Sequence, residues 1–85
     1  MRLDKFLKVS RIIKRRTLAK EVCDSGRVSV NGRSAKPGVE IKPGDKLELD
    51  FGTKRVVFEI LETPNTVRAD QAKDLYRVLE ETRIV

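Results

Sequence analysis

Histidine and tryptophan are absent from this 85-residue sequence, and Cys23 is its single cysteine. General acid–base catalysis most often uses histidine, so this absence argues against an enzyme. One cysteine cannot form an internal disulfide, and without histidine it cannot anchor a zinc site. Cys23 also lies on an apolar helical stripe, which favours core packing over a role as a nucleophile. We therefore expect a non-catalytic protein that has no metal and no cofactor.

Long hydrophobic runs are missing as well. No segment approaches the roughly 20 apolar residues that a membrane-spanning helix requires, and the N-terminus has no apolar stretch of signal-peptide length. A lone cysteine also fits a reducing compartment. We expect a cytoplasmic protein with no membrane partner.

Positive charge is abundant and unevenly distributed. Nineteen Lys and Arg against 13 Asp and Glu give a net charge of +6. Residues 1–36 contain eleven basic residues and three acids, whereas residues 37–85 contain eight basic residues and ten acids, so the local charges are +8 and −2. A positive field concentrated in one part of a small protein is typical of a surface that binds a polyanion. Ordinary solubilising charge is the simpler alternative.

Hydrophobic periodicity predicts two N-terminal helices, over residues 2–9 and 17–25. Gly26 is expected to end the second helix, because glycine adopts the left-handed conformation without steric cost. Segment 10–13 between the helices fits either a turn or a continued helix. The apolar stripes are Leu3, Phe6 and Leu7 in the first helix and Leu18, Ala19, Val22 and Cys23 in the second.

After Gly26 the apolar period changes from 3.6 to 2, which indicates strands. Asn31-Gly32 is a pair preferred in two-residue type I′ hairpin turns. Further turns are predicted at residues 36–38, 42–45 and 52–53, which contain Gly and Pro, with a short alternating stretch at 39–41. Leu47, Leu49 and Phe51 alternate along one strand. The expected buried face consists of Val28, Val30, Leu47, Leu49 and Val56, with Leu3, Leu7, Leu18 and Val22 packed over it.

The C-terminal part is predicted to be an amphipathic helix over residues 69–82. Its apolar side would carry Ala72, Leu75, Val78 and Leu79. Segregated runs of helices and strands indicate an α+β fold rather than a wound parallel sheet. A chain of this length forms a single small domain.

Each N-terminal helix carries basic residues on the side opposite its apolar stripe. Lys14-Arg15-Arg16 lies at the start of the second helix, where free backbone amides favour a phosphate. Arginine adds planar bidentate contacts that lysine cannot make. The basic residues of this predicted surface are Arg2, Lys5, Lys8, Lys14, Arg15, Arg16, Lys20, Arg27, Arg33 and Lys36.

Aromatic residues make up only 5% of the sequence. Phe6, Phe51 and Phe58 all occupy periodic apolar positions, and Tyr76 is the only other ring. Modules that bind single-stranded RNA stack bases on exposed rings. The pattern therefore favours recognition of the shape and backbone of folded RNA over base stacking.

Three segments carry a resemblance to a known family. They are Arg2-Leu3-Asp4-Lys5-Phe6-Leu7, Arg16-Thr17-Leu18-Ala19 and Gly26-Arg27-Val28-Ser29-Val30-Asn31-Gly32. In this order and spacing they resemble the RNA-binding domain named after ribosomal small-subunit protein four, and the pattern covers residues 1–50. Arg15 departs from the family, in which many members have a small helix-capping serine.

The resemblance also implies an architecture. It places the RNA-binding domain over residues 1–66 and makes residues 67–85 a C-terminal amphipathic helix of the same unit. The two N-terminal helices would pack on a short, strongly bent antiparallel sheet, the alpha-L motif.

The whole chain resembles the RqcP (YabO) family of Firmicutes, which is related to the fifteen-kilodalton heat-shock protein. The resemblance implies binding to large ribosomal subunits that carry a stalled nascent chain on peptidyl-tRNA. Such a protein contacts 23S rRNA and P-site tRNA and supports C-terminal alanine tailing by an RqcH-type factor. This role is non-catalytic, and we expect a monomer.

Carried over by position, the resemblance implies that Arg2 and Arg16 contact the RNA backbone. Asp4 has three open roles. It could orient Arg2 or Arg16, accept a hydrogen bond from a ribose 2′-hydroxyl, or simply be a first-turn acid favoured by the helix dipole. The implied supporting residues are Lys5, Arg11, Lys14, Arg15 and Lys20.

Two other functions remain open at this point. One is recycling of obstructed large subunits without tailing, as in the heat-shock relatives. The other is a protein-interaction adaptor whose apolar helix 69–82 docks a partner.

Binding to ribosomal RNA should depend steeply on salt. If about five basic side chains contact phosphates, log K should fall against log salt with a slope of roughly −3.5 to −4.5. Affinity measured from 50 to 300 mM KCl checks this slope. An affinity that stays flat across this range would contradict a binding surface made of cations.

Overall fold

Two short helices form the N-terminal layer in the computed structural model, which describes residues 1–84. Helix α1 spans Leu3–Val9 and helix α2 spans Arg16–Asp24. Helical spacing places Leu3, Phe6 and Leu7 on one face of α1, and all three are fully buried. The apolar stripe predicted for α1 is therefore confirmed.

Helix α2 buries a narrower face than its sequence predicts. Ala19 and Cys23, four residues apart, are buried, and Val22 is only partly buried. Leu18 is 47% exposed, so the prediction that it packs over the sheet is wrong. The four apolar side chains of α2 spread over a wide part of the helix surface. Only the side that carries Ala19 and Cys23 is fully buried in the core.

Helix α2 ends as predicted at Gly26, whose φ is +81°. The Gly26 N–H donates to the Cys23 carbonyl at 3.1 Å, and the Arg27 N–H donates to the Val22 carbonyl at 3.3 Å. These two bonds form a Schellman motif, in which a left-handed residue lets the chain reverse and satisfies the last carbonyls.

Helix α1 ends on a left-handed residue that is not glycine. Arg11 has a φ of +61°, and its N–H donates to the Lys8 carbonyl at 3.0 Å. The buried Ser10 hydroxyl donates to the Leu7 carbonyl and accepts the Ile12 N–H. Segment 10–13 is therefore a turn, which the sequence left open because no glycine marks it.

The sheet is antiparallel and has the strand order β2-β1-β3-β4-β5. It follows the helices in the chain, so the predicted α+β class, with helices packed on an antiparallel sheet, is confirmed. The strands are β1 Val28–Val30, β2 Arg33–Ser34, β3 Lys46–Asp50, β4 Lys54–Ile60 and β5 Tyr76–Arg83.

The β1–β2 hairpin has the predicted type I′ turn, with φ of +51° at Asn31 and +85° at Gly32. The Asn31 side chain also donates to the Asp45 carboxylate at 3.1 Å and accepts the Lys46 N–H at 3.0 Å. The hairpin is thus tied to the turn that begins β3, which fixes the start of β3 next to β1.

The predicted alternating stretch at residues 39–41 pairs with the N-terminus instead of forming a strand in the sheet. Arg2 and Glu40 form an isolated antiparallel bridge. The Leu3 N–H donates to the Val39 carbonyl at 2.9 Å, and the Ile41 N–H donates to the Met1 carbonyl at 2.8 Å. This pairing fixes the backbone at Arg2.

The C-terminal segment departs from its prediction. A 3₁₀ helix covers only Ala69–Leu75, where Ala72 and Leu75 are buried as expected. Residues 76–83 form β5, so the predicted helix over 69–82 is wrong in its second half, and Val78 and Leu79 are 52% and 44% exposed. Val85, the end of the predicted 67–85 segment, lies outside the described residues.

Pairing between β4 and β5 explains this difference. The register runs from Lys54 opposite Arg83 to Ile60 opposite Tyr76. Without β5, the hydrophobic strand β4 would be an edge with unpaired N–H and C=O groups. The helix-like spacing of Leu75, Val78 and Leu79 is a local signal, and it yields to this non-local pairing.

The buried face of the sheet is largely the predicted one. Val28, Leu47, Leu49 and Val56 are all at most 4% exposed, and Val30 is partly buried. Together with Leu3, Phe6 and Leu7 they make one core that joins α1 to the sheet.

Truncating Leu7 tests this core. Leu7→Ala should lower the free energy of unfolding by about 2–5 kcal/mol, because it leaves a cavity under α1. Leu79→Ala is the matched control, and it should change stability little since Leu79 is 44% exposed. Urea unfolding followed by circular dichroism measures both. Equal stabilities of the two variants would show that α1 is not packed as described.

Candidate nucleic-acid interface

A buried carboxylate holds two arginines at the start of the helical layer. Asp4 lies in the first turn of α1 and is 3% exposed. Its Oδ1 accepts from Arg2 Nε at 3.2 Å and from the Lys5 N–H at 2.8 Å, and its Oδ2 lies 3.4 Å from Arg16 Nε. The side chains of Arg2 and Arg16 are 52% and 49% exposed. We call these three side chains the Asp4 cluster.

The local fold explains how the cluster forms. Packing of α1 against α2 brings Arg16 to a carboxylate twelve residues earlier. The N-terminal bridge to residue 40 places Arg2, whose guanidinium lies against the backbone at Gly38. A Cβ at position 38 would lie 3.6 Å from Arg2 Nη2, an ordinary van der Waals distance, so the guanidinium lies directly beside this part of the backbone.

The surroundings keep Asp4 ionised. Burial raises the pKa of its carboxyl. Hydrogen bonds from Arg16, from the Lys5 N–H and from Arg2 lower this pKa by a larger amount. The net effect is a pKa below the ordinary value of 3.8. The carboxylate of Asp4 is therefore charged at neutral pH and faces both guanidinium groups. This is the contact that Asp4 needs in order to orient Arg2 or Arg16, the first of its three predicted roles.

The two helices differ in their N-terminal amides. In α1, the Leu3 and Asp4 N–H groups donate to the carbonyls of Val39 and Pro37, and the Lys5 N–H donates to Asp4. This end of α1 has no free donor for a phosphate. In α2, the N–H groups of residues 16–18 have no acceptor among residues 1–84, and no side chain caps the helix.

A second group of cations lies around the turn between the helices. Lys8, Arg11 and Lys14 line a hollow of about 220 Å³. Arg15 is the N-cap residue immediately before α2, and it is exposed. The structure therefore brings the predicted residues of this turn together on one side of the molecule.

Five other residues of the predicted basic surface lie outside the Asp4 cluster and outside this hollow. Arg27 is exposed just after the Gly26 turn. Lys20 is exposed on α2, Arg33 lies on β2, and Lys36 follows β2. Lys5 Nζ instead contacts the Asn65 side chain at 3.3 Å, a contact between distant segments that no sequence pattern indicated.

Ion pairing differs between the two halves of the chain. Of the eleven basic residues in 1–36, only Arg2 and Arg16 pair with a carboxylate within residues 1–84, and they share Asp4. In the second half Lys54, Arg55 and Arg77 pair with glutamates on neighbouring strands. The two halves thus differ in more than net charge, which is +8 against −2. Most cations of the first half also lack a carboxylate partner.

Phe51 also departs from its predicted position. β3 ends at Asp50, Gly52 turns the chain with a φ of +89°, and Phe51 is 39% exposed. Lys54 Nζ lies 5.9 Å from the centroid of its ring. The prediction that Phe51 alternates with Leu47 and Leu49 along one strand is therefore wrong, whereas Phe6 and Phe58 are buried.

Cys23 is 1% exposed, as its apolar stripe predicted. Burial, with the charges of Asp4 and Asp24, raises the pKa of its thiol to about 11. The thiol is thus protonated and unreactive at neutral pH. Residues 1–84 hold no group of three or more histidine, cysteine or acidic side chains arranged for a metal ion. In the same range, every helix is too short and too polar to cross a membrane.

The S4 domain family matches residues 1–47. Several relatives bear the name RQC P-site tRNA stabilizing factor. The one from Bacillus subtilis is 52% identical over 84 residues, covering 99% of this chain and 98% of the relative. The one from Halalkalibacterium halodurans is 58% identical over 84 residues, covering 99% and 96%.

This chain is also similar, at lower identity, to proteins named Heat shock protein 15. A Heat shock protein 15 homolog from Haemophilus influenzae is 32% identical, covering 96% of this chain and 63% of the relative. The trimeric structure of Vibrio cholerae Heat Shock Protein 15 superposes with a TM-score of 0.85 at 34% identity, covering 92% of this chain and 80% of that one. The Vibrio cholerae protein thus shares this fold, and both proteins are less similar in sequence to this chain than the two relatives above.

Acid unfolding should reveal the depressed pKa of Asp4. A carboxyl with a lower pKa in the folded state stabilises the fold above its unfolded value, near 3.8, and this contribution is lost as pH falls through the folded pKa. Asp4→Asn should lower stability at pH 7 by about 1 kcal/mol, a figure reduced for the half-exposed partners. The difference from the unaltered protein should shrink below pH 4.

Urea unfolding between pH 2.5 and 7 measures this difference. Asp74→Asn, at an exposed acid of the 3₁₀ helix, is the matched control and should follow the unaltered protein throughout. A stability gap for Asp4→Asn that stays constant with pH would contradict the proposed ionisation.

Proposed function

Because this chain belongs to the S4 domain family together with the RQC P-site tRNA stabilizing factors, we propose that it steadies peptidyl-tRNA on stalled large ribosomal subunits. In this proposal it contacts 23S rRNA and the P-site tRNA and supports C-terminal alanine tailing by an RqcH-type factor. It acts in the cytoplasm, as a monomer, during ribosome quality control.

The Asp4 cluster is the observation that carries the proposal. Arginine side chains are long, and each loses about 2 kcal/mol of rotamer entropy when a ligand immobilises it. The carboxylate of Asp4 already holds Arg2 and Arg16 by their Nε atoms. Each guanidinium keeps further N–H groups for a phosphate, because its side chain is about half exposed. Such preorganisation favours a rigid polyanion such as folded RNA.

The start of α2 adds donors beside this cluster. Its first three backbone N–H groups are free within the described residues, and the helix dipole favours an anion there. Arg16 is the first residue of this helix. A phosphate at this position would therefore meet backbone donors and a bidentate side chain together.

The proposed action needs no catalytic group. Holding a tRNA in place requires binding energy and shape, which uncompensated cations on a rigid domain supply. The buried, protonated Cys23 takes no part in this role. We propose that the protein works by binding alone.

Recycling of obstructed large subunits is a second candidate, and the TM-score of 0.85 to a Heat Shock Protein 15 structure favours it. The higher identity of 52% to an RQC P-site tRNA stabilizing factor favours tailing instead. The adaptor alternative loses its basis, because residues 76–83 form a strand paired with β4 rather than an exposed helix. Tail formation in cells that lack the protein separates the two ribosomal roles.

Arg16→Ala tests the proposal. The change should alter the free energy of unfolding by no more than about 0.5 kcal/mol, since Arg16 is half exposed and Asp4 keeps Arg2 and the Lys5 N–H. It should nevertheless weaken binding to large subunits severely and abolish alanine tails. Thermal melts, co-sedimentation with subunits that carry peptidyl-tRNA, and tail formation in cells are the three measurements.

The double replacement Glu80→Gln and Glu81→Gln is the control. Both residues are exposed on β5 in the second half of the chain, and Glu81 pairs with Lys54. Binding and tailing should be unchanged. A folded Arg16→Ala protein that binds subunits like the unaltered protein would remove the proposed contact, and binding lost in the control would move the interface to β5.

A further inference from the structure

An apolar groove borders the basic surface, and the proposed phosphate contacts do not use it. It has a volume of about 370 Å³, which falls within the range of small-ligand sites. Leu18 of α2 and Phe51 of the β3–β4 turn line it, together with Ile12 and Val22. Leu18 and Phe51 are 47% and 39% exposed, so two large apolar side chains of a small domain remain accessible at one place.

The charges at this groove are mostly positive. Lys14 and Arg27 line it, and neither pairs with a carboxylate within residues 1–84. The one acid in the lining is Asp50, whose Oδ1 accepts the Gly52 N–H at 2.7 Å as part of the turn. Lys54 lies over the Phe51 ring with its Nζ 5.9 Å from the centroid. An occupant that is flat and apolar and also carries negative charge matches this combination.

We propose that the groove receives one unstacked nucleobase of the bound RNA, with its phosphate against Lys14 and Arg27. Lys14 also lines the hollow shared with Lys8 and Arg11, so an RNA strand on the cationic surface runs past the groove. Unpaired bases of folded RNA stack on aromatic rings and apolar side chains. The inference rests on the proposed function and adds to it a contact with a base rather than the backbone.

Four variants of the full-length protein test the groove. Leu18→Ala should weaken binding to purified large subunits carrying peptidyl-tRNA about tenfold, the loss typical of one stacked base. Leu79→Ala is the matched control, because Leu79 is similarly exposed at 44% and lies on β5. Phe51→Leu should weaken binding like Leu18→Ala, whereas Phe51→Tyr should retain it, since tyrosine keeps an aromatic face.

Two further readouts separate a base contact from a general loss of structure. The salt slope of Leu18→Ala should equal that of the unaltered protein, because no phosphate contact is removed. Probing of the RNA bases at saturating protein, with dimethyl sulfate for adenine and cytosine and a carbodiimide for uracil and guanine, should show one nucleotide protected by the unaltered protein and by Phe51→Tyr, and exposed with Phe51→Leu. Thermal melts monitor folding, and the Phe51 pair decides the result if Leu18→Ala is unstable.

Three results would overturn the inference. Equal affinities of Leu18→Ala and Leu79→Ala would mean that the groove holds no base. If Leu18→Ala and Phe51→Leu bind the subunits normally but abolish alanine tailing in cells, the groove is instead a docking site for a protein. If the unaltered protein itself does not bind the subunits, the proposed function fails together with the inference, and this outcome is distinct from the first two.

Discussion

The arrangement of the cationic surface depends on the ionised carboxylate of Asp4, which is only 3% exposed. A buried charge is unfavourable unless charged or hydrogen-bonding partners compensate for it. Here Arg2, Arg16 and the Lys5 N–H provide that compensation. The same contacts join the N-terminal residue pair, the first turn of α1 and the start of α2. One interaction therefore links the two helices and sets the direction of two arginines.

This arrangement resolves a conflict between stability and binding. Clustered positive charge favours association with a polyanion but destabilises a small fold through self-repulsion. The second half of the chain limits the repulsion by pairing its cations across strands, as in Lys54 with Glu81 and Arg55 with Glu48. In the first half, Arg2 and Arg16 share the single carboxylate of Asp4. The uncompensated cations include Lys8, Arg11 and Lys14 around the turn between the helices, where a phosphate can replace the missing counter-charge.

The sequence predicted those parts of the fold whose conformation depends on adjacent residues alone. Asn31-Gly32 and Gly26 adopt positive φ as expected, because their conformational freedom depends on the residue itself. The strand β5 could not be predicted in this way, since its pairing partner β4 lies some twenty residues earlier. The Asp4 cluster has the same origin. Sequence placed Arg2 and Arg16 on a basic face and left the role of Asp4 open, and only the packing of α1 on α2 shows the contact.

The remaining failures of sequence reasoning concern single residues that break a local rule. Arg11 adopts a left-handed conformation normally reserved for glycine or asparagine, which is unfavourable by about 1 kcal/mol. Leu18 and Phe51 leave large apolar surfaces in water. Stability would favour glycine at the first position and polar side chains at the other two. Residues that oppose stability in this way are expected at functional sites. Arg11 and Phe51 line one hollow, and Phe51 and Leu18 line the neighbouring groove. These exceptions therefore adjoin one another beside the cationic turn, where a binding role for them is physically consistent.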